Sequence, residues 1–525
     1  MEQGGAVLSS VKYVEDYENI GDTSSSEEEV LHEPTIMDAL PFTGLKGISL
    51  ISVFSLTLNV MIGTGVFGMP LAYREAGLIL SLGLLLVFYV LTSFSAVYIL
   101  ESISRVGTYL KRNDKDSVGV RHTKVDVYDS YGYTSLASHT SGKVFKAIIN
   151  VMMVVNCYGV LWSFVGTSVN SIGTMFWSIY EEPLHCPVQN HFSLDWQCQL
   201  TYYGSEALFA LLVVPLSFMK LASQTVVQFL MMSYCVLVFC LMVVTCVVSL
   251  IMVGPLSPVA LFEFSGFGTV FSHTAFALVC HISIPDIIAP AEKKGKTHIP
   301  IITSIFVASL FYGLIGAVCA STFGGTVTTP VTLNWGSYTG IGSGWDKGST
   351  QWYAYIIRYL ILAFPLVNLT SSFPIVAQTV AGNICSMFTK EFLETKKGKV
   401  VRYVALITSI IVPFILGGIS SSLEMIFNLT GLVSFVLVFL VPCLYQLMSI
   451  KMFHSLKFYR CSCWSYFPKT PFSSILSAPI IVLVVFAISF VLFIVSIIVL
   501  VFDTISKFGG DSSAFSSSSL SSGSF

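Results

Sequence analysis

Charge is what this sequence has least of. Asp, Glu, Lys and Arg make up 11% of it and the net charge is −2, with no long run of Lys and Arg, so a nucleic-acid partner is not expected. Within its apolar runs there is no His/Glu metal spacing, no nucleophile elbow and no carboxylate pair, so neither a metal site nor an enzyme is expected. A cleaved leader is not expected either, because the first 45 residues are polar and the first hydrophobic run is too long for a signal core. What is present is hydrophobic: 54% of the residues, with mean hydropathy +0.78. Such a chain is a polytopic membrane protein whose partner is the lipid bilayer.

Hydrophobic spans fall at 48–72, 78–101, 146–177, 205–219, 225–253, 267–291, 299–323, 352–380, 401–419, 423–447 and 478–502, predicting eleven transmembrane helices. Lys and Arg test the count, since cytoplasmic loops are enriched in both. With the N-terminus in the cytosol, 23 of the 27 fall in alternate segments. Only Arg74, Lys347 and Lys507 fall outside, and Arg358 lies within a span. One missing or extra helix would scramble that alternation. The C-terminus is therefore expected to be extracellular or lumenal, in a plasma membrane or a vacuolar or lysosomal one. Of the 12 cysteines only Cys186 and Cys198 fall in an outside loop, where an oxidising compartment favours a disulfide between them. Cys461 and Cys463, beside aromatic and basic residues, are candidates for palmitoylation. The tail 1–45, with SSSEEE at Ser24 to Glu29 and a sorting-type tetrapeptide at Tyr17 to Ile20, reads as disordered and cytosolic.

The first span carries NVMIGTGVFGMP from Asn59 to Pro70. Each Gly costs up to about 1 kcal/mol against Ala in a helix interior, and hydrocarbon offers a freed amide no water. Two readings follow: the helix unwinds at Ile62 to Gly65 beside a cavity, or its glycines admit a close neighbour. The sixth span repeats the anomaly. It places His281, Ser283, Pro285 and Asp286 at membrane depth, so a break is expected from Cys280 to Pro285. Interrupted segments at corresponding places in two oppositely oriented halves point to a transporter with a site at the bilayer midplane. His281 is either a hydrogen-bonded packing residue or a pH-sensing group. In the eighth span Arg358 either snorkels or gates, while Asn368, Thr370, Ser371 and Ser372 form an uncharged oxygen cluster that Asn59 could face. That cluster suits either a hard cation or interhelical hydrogen bonding.

At these residues the chain resembles the amino acid/auxin permease family, and within it the sodium-coupled neutral amino acid transporters. The runs LNVMIGTGVFGMPLAYREAG and AFALVCHISIPDIIAPAEK carry the likeness, with the Arg and Thr/Pro-rich stretch of the eighth span. The resemblance covers roughly residues 45–500. It implies a fold similar to the bacterial leucine transporter, a 5+5 inverted repeat over 46–253 and 254–447. A cytosolic loop at 448–477, an extra helix at 478–502 and a Ser-rich tail at 503–525 follow. It implies substrate bound by backbone at Ile62 to Gly65 and near Cys280 to Ser283, with Asn59 in a sodium site. Proton-coupled relatives share the Gly-Thr-Gly break.

The expected function is secondary active transport of neutral amino acids by alternating access, coupled to sodium or protons and needing no cofactor. The α-carboxylate is expected at the amides of Gly63, Thr64 and Gly65, with Phe67 and Phe276 lining the side-chain pocket. Two alternatives stand: an amino-acid sensor signalling through its N-terminal tail, and a proton-coupled vacuolar or lysosomal exporter.

Overall fold

A computed structural model describes residues 47–113, 131–179, 195–218, 225–420, 422–454 and 469–518. The acidic tail, Cys186, Cys461 and Cys463 lie outside these, whereas Cys198 is within them and disulfide-bonded. The described chain is helical, with a single isolated β-bridge.

Helices α1 (Leu50–Met61) and α2 (Gly65–Ala76) meet at a bend of 55°. Ser49 starts α1, its hydroxyl accepting the Ser52 N–H at 3.2 Å. Next come α3 (Leu78–Asn113), the short α4 (Tyr133–Ser141), α5 (Lys143–Trp177), α6 (Trp196–Ser217) and α7 (Thr225–Met252). A second interrupted pair follows, α8 (Phe267–Ala277) and α9 (Ile284–Ile288). Then come α10 (His298–Phe323), α11 (Trp352–Cys385), α12 (Lys390–Glu394), α13 (Lys396–Ile419) and α14 (Leu423–Phe435). One π-helical turn, Val436–Leu440, joins α14 to α15 (Val441–His454), and α16 (Pro479–Ser518) closes the described chain.

Among the described residues nine helices are long and apolar enough to cross a bilayer, or ten with the bent pair α1/α2 counted as one span. The sixth expected span does not add an eleventh by this measure, because it is cut into pieces of 11 and 5 residues. Its break also starts earlier than the prolines suggested. Residues 278–283 are non-helical and Pro285 sits in the first turn of α9, where a missing N–H costs no hydrogen bond.

Two large hydrophobic cores organise the bundle. One gathers Val66 and Tyr73 of α2, Phe88 of α3, Phe271 of α8 and Tyr312 of α10. The other is built by α5, α6, α11 and α13 through Phe164, Phe209, Phe373 and Ile410. Outward faces stay apolar: Ile480, Leu483, Val484, Ile488 and Val491 of α16 are exposed at helical spacing, as a lipid-facing surface requires.

Two polar ties hold the first core. At one end of α1/α2 the N–H groups of Gly47 and Ile48 donate to the Pro290 carbonyl at 3.1 and 3.0 Å, and Glu292 N–H donates to the Ile48 carbonyl at 3.2 Å. These bonds join the start of α1 to the segment after α9. Elsewhere Glu101 and Arg105 of α3 form an ion pair with both side chains fully buried. Gln446 of α15 bonds both partners at 2.7 Å, and the Ser477 hydroxyl, just before α16, donates to Glu101.

Candidate functional site

The site is built where the two interruptions meet. At the first, Ile62 N–H still donates to the Leu58 carbonyl at 2.9 Å, and the chain then turns so tightly that Gly63 N–H reaches the Met61 carbonyl at 2.7 Å. Phe67 N–H closes onto the Thr64 carbonyl at 3.1 Å. Between them lie the amides of Thr64, Gly65 and Val66, at the start of a helix, where no intrahelical acceptor exists. The expected role of the Gly63 amide is corrected accordingly: its proton is held by Met61. Thr64 anchors the break sideways, its hydroxyl 2.8 Å from that of Ser163 on α5.

Gly65 is where the two interrupted helices touch. A Cβ there would lie 2.7 Å from Ala277 Cα and 2.8 Å from Ala277 Cβ. Gly68, by contrast, belongs to the packing reading, facing the rings of Phe427 and His273. On the other side of the contact, Tyr312 of α10 donates toward two carbonyls at once, Met61 at 2.6 Å and Ala277 at 3.1 Å. These carbonyls end α1 and α8, where the helix itself leaves them unpaired. One fully buried hydroxyl therefore fixes both cut points. Tyr312→Phe should leave the buried Ala277 carbonyl unpaired, at about 1–3 kcal/mol, and the Met61 carbonyl with the Gly63 N–H as its donor. The expected result is a lower unfolding midpoint and slower uptake, and wild-type values on both would refute the role.

A cavity of about 1430 Å³ opens between the two cores. Asn59, Ile62, Gly63, Thr64 and Gly65 line it from the first interruption, and Phe276, Cys280, Ser283 and Asp286 from the second. From α5 come Asn156, Cys157, Val160 and Phe164; from α11 come Ser372, Val376, Thr379 and Asn383, both sets at helical spacing. Lys146, Lys294, Glu391, Glu394 and Arg402 line it from the loops and helix ends of one side only.

Several expected site residues sit elsewhere. His281 is turned away from the cavity, its Nε2 2.8 Å from Ser95 Oγ and 3.2 Å from the Thr92 carbonyl oxygen on α3. Phe67 is buried in the contact with α11, its ring edge-on to Phe364 at 5.6 Å. The Thr370 hydroxyl returns to the Leu366 carbonyl at 2.7 Å and that of Ser371 to the Asn368 carbonyl at 2.8 Å. Neither they nor Asn368 line the cavity; their neighbour Ser372 does. Arg358 is buried and bonded rather than snorkelling. Its Nη2 and Nε donate to the Tyr338 carbonyl at 2.6 and 3.2 Å, and its Nη1 to that of Ser178 at 3.4 Å. It ties α11 to the loop before it and to the end of α5.

Sequence reasoning missed Ser163, Tyr312, Thr379 and Asn383. The 3–4 spacing of polar residues along α5 and α11 was a usable signal for the helical faces, whereas nothing local marks Tyr312.

A bundle of apolar helices in which two interrupted helices meet at a central cavity defines the class of membrane transporters that bind solute between half-helices. The chain belongs to the family described as transmembrane amino acid transporter protein, whose profile matches residues 46–502. It is similar to the transmembrane protein 104 homolog of Caenorhabditis elegans, 25% identical over 334 residues, covering 62% of this chain and 66% of that protein, just under two thirds of its length. The Caenorhabditis briggsae homolog is 24% identical, over 65% and 69% of the two chains. Transmembrane protein 104 of Mus musculus is 22% identical, over 71% and 82%. Among solved structures, that of MhsT in complex with L-phenylalanine aligns with a TM-score of 0.49 at 13% identity, covering 86% of this chain and 99% of that one.

Proposed function

We propose that this chain carries neutral amino acids across a membrane by alternating access, as a secondary active transporter coupled to a cation, sodium or the proton. The observation that carries this reading is the meeting of both helix interruptions at one cavity. In the proposed arrangement α1/α2 and α8/α9 open the two halves of a 5+5 inverted repeat. The substrate carboxylate sits at the amides of Thr64 and Gly65, where the helix N-terminus favours negative charge. Its ammonium group faces carbonyls of the non-helical stretch 278–283, and its side chain lies toward Phe276, Val160 and Phe164. The charged lining of one end comes from segments that the Lys and Arg distribution assigns to the cytosol. On that assignment the cavity is inward-facing, with the Arg358 end closed.

The test is uptake of labelled neutral amino acids into proteoliposomes, with sodium and proton gradients imposed separately. Gly63→Val is its site-directed arm. A Cβ at Gly63 meets nothing within 4 Å, so the variant should fold as the wild type does. Its side chain should obstruct the substrate and lower uptake about tenfold, the effect of losing roughly 1.4 kcal/mol of binding. Unchanged uptake would move the site elsewhere.

A further inference from the structure

We propose that Asp286, rather than the alternative pH-sensing candidate His281, is the group that takes up and releases the coupling proton. This inference rests on the transport reading above and specifies its ion. Asp286 lines the cavity, together with Ile282 and Ser283 just before α9 and Ala289 at its end, so the carboxylate faces the open space. Among the described residues it makes no ion pair and no hydrogen bond. An intramembrane carboxylate without a cation is an expensive arrangement that binding a proton relieves.

Among the described residues of the helices packed on α9, no other carboxylate lines the cavity. Helix α9 packs on α1, which has no titratable side chain, and on α3, whose Glu101 and Arg105 neutralise each other in full burial while Tyr98 donates to the Leu476 carbonyl. His281, in the same interruption, is committed to Ser95 and Thr92, and Cys280 Sγ lies 3.9 Å from its Nδ1. Lys294 lines the cavity eight residues farther on, and among the described residues Asp286 forms no ion pair with it. Across the cavity Lys146 holds the Ser386 carbonyl, Tyr133 holds that of Leu437, and Tyr131 and His139 flank them. Glu391, Glu394 and Arg402 belong to α12 and α13, beyond the end of α11. Of the oxygen cluster that would suit sodium, Asn59 and Ser372 line the cavity whereas Asn368, Thr370 and Ser371 do not.

In the cycle, the Asp286 carboxylate accepts one proton from water while the cavity faces the opposite compartment. It gives that proton back to water in the inward-facing arrangement proposed above. One positive charge crosses with each zwitterionic substrate.

The test compares wild type, Asp286→Asn and Asp286→Glu in proteoliposomes, using labelled L-alanine, L-leucine and L-glutamine. Counterflow exchange at equal pH needs no net proton movement, whereas accumulation against a gradient does. With one pH unit imposed, acid outside, wild type should accumulate substrate about tenfold at one proton per molecule. Asp286→Asn should keep its counterflow and lose the accumulation; Asp286→Glu should keep both, with a shifted pH dependence. Full proton-driven accumulation by Asp286→Asn overturns the proposal, as does accumulation by wild type under sodium alone. Loss of counterflow in a monodisperse Asp286→Asn protein also overturns it, because the carboxylate would then hold substrate. Wild type that neither exchanges nor accumulates any amino acid under either gradient would instead defeat the transport reading itself.

Discussion

Gly65→Val should abolish amino-acid uptake, and even Gly65→Ala should reduce it about fivefold or more. The added Cβ would stand 2.7 Å from a backbone atom of Ala277, and backbone at a helix end has no flexible side-chain tip that could move aside. The two interrupted helices must separate to admit it. Overpacking of this kind costs about 1–3 kcal/mol, which is about fivefold to 150-fold in an equilibrium that depends on their contact. Separation would also pull Met61 and Ala277 apart beneath the shared Tyr312 hydroxyl. Uptake by purified variants, normalised to the amount reconstituted, measures the effect. Wild-type rates in Gly65→Ala would mean that the contact is not needed for transport.

The second large effect is on stability. Arg105→Met should lower the unfolding midpoint of the detergent-purified protein by about 5 °C or more, given about 3–5 kcal/mol for breaking a buried pair from one side. Both members are fully buried, so Glu101 would keep its charge with only the Gln446 and Ser477 donors beside it. The double variant Glu101→Gln with Arg105→Met should recover much of the loss, because no isolated charge then remains. Equal destabilisation by single and double variants would show that packing, rather than charge, dominates at this position.

Both predictions depend on details the sequence discloses unevenly. The interruptions are legible because Gly63, Gly65 and Pro285 break a regular helix for reasons each residue carries in its own covalent structure. Helical faces are legible as well, since α5 and α11 keep a 3.6-residue period up to the cavity wall. Direction inside an interruption is not. Cys280, His281 and Ser283 lie in a non-helical stretch without periodicity, so nothing in their spacing says that His281 turns to Ser95 while its neighbours face the cavity. Asp286 is legible at membrane depth, but which partners it lacks there depends on packing that its spacing does not disclose. Tyr312 is beyond local reading altogether. Its two acceptors lie 251 and 35 residues away, and only the packed helices bring them together.

The backbone bonds between Gly47–Ile48 and Pro290–Glu292 carry a mechanical consequence. They fasten the start of α1 to the end of α9 without side chains, so substitution at the surface would not release them. The two half-helices at that end are thereby tied into one unit, as the leaf of a door would be. A swing that shuts the cavity at its charged end has to carry both together, and a latch formed against either one restrains the other. Transport would then be gated there by a single swinging panel, with its hinges at the two interruptions where substrate is expected to sit.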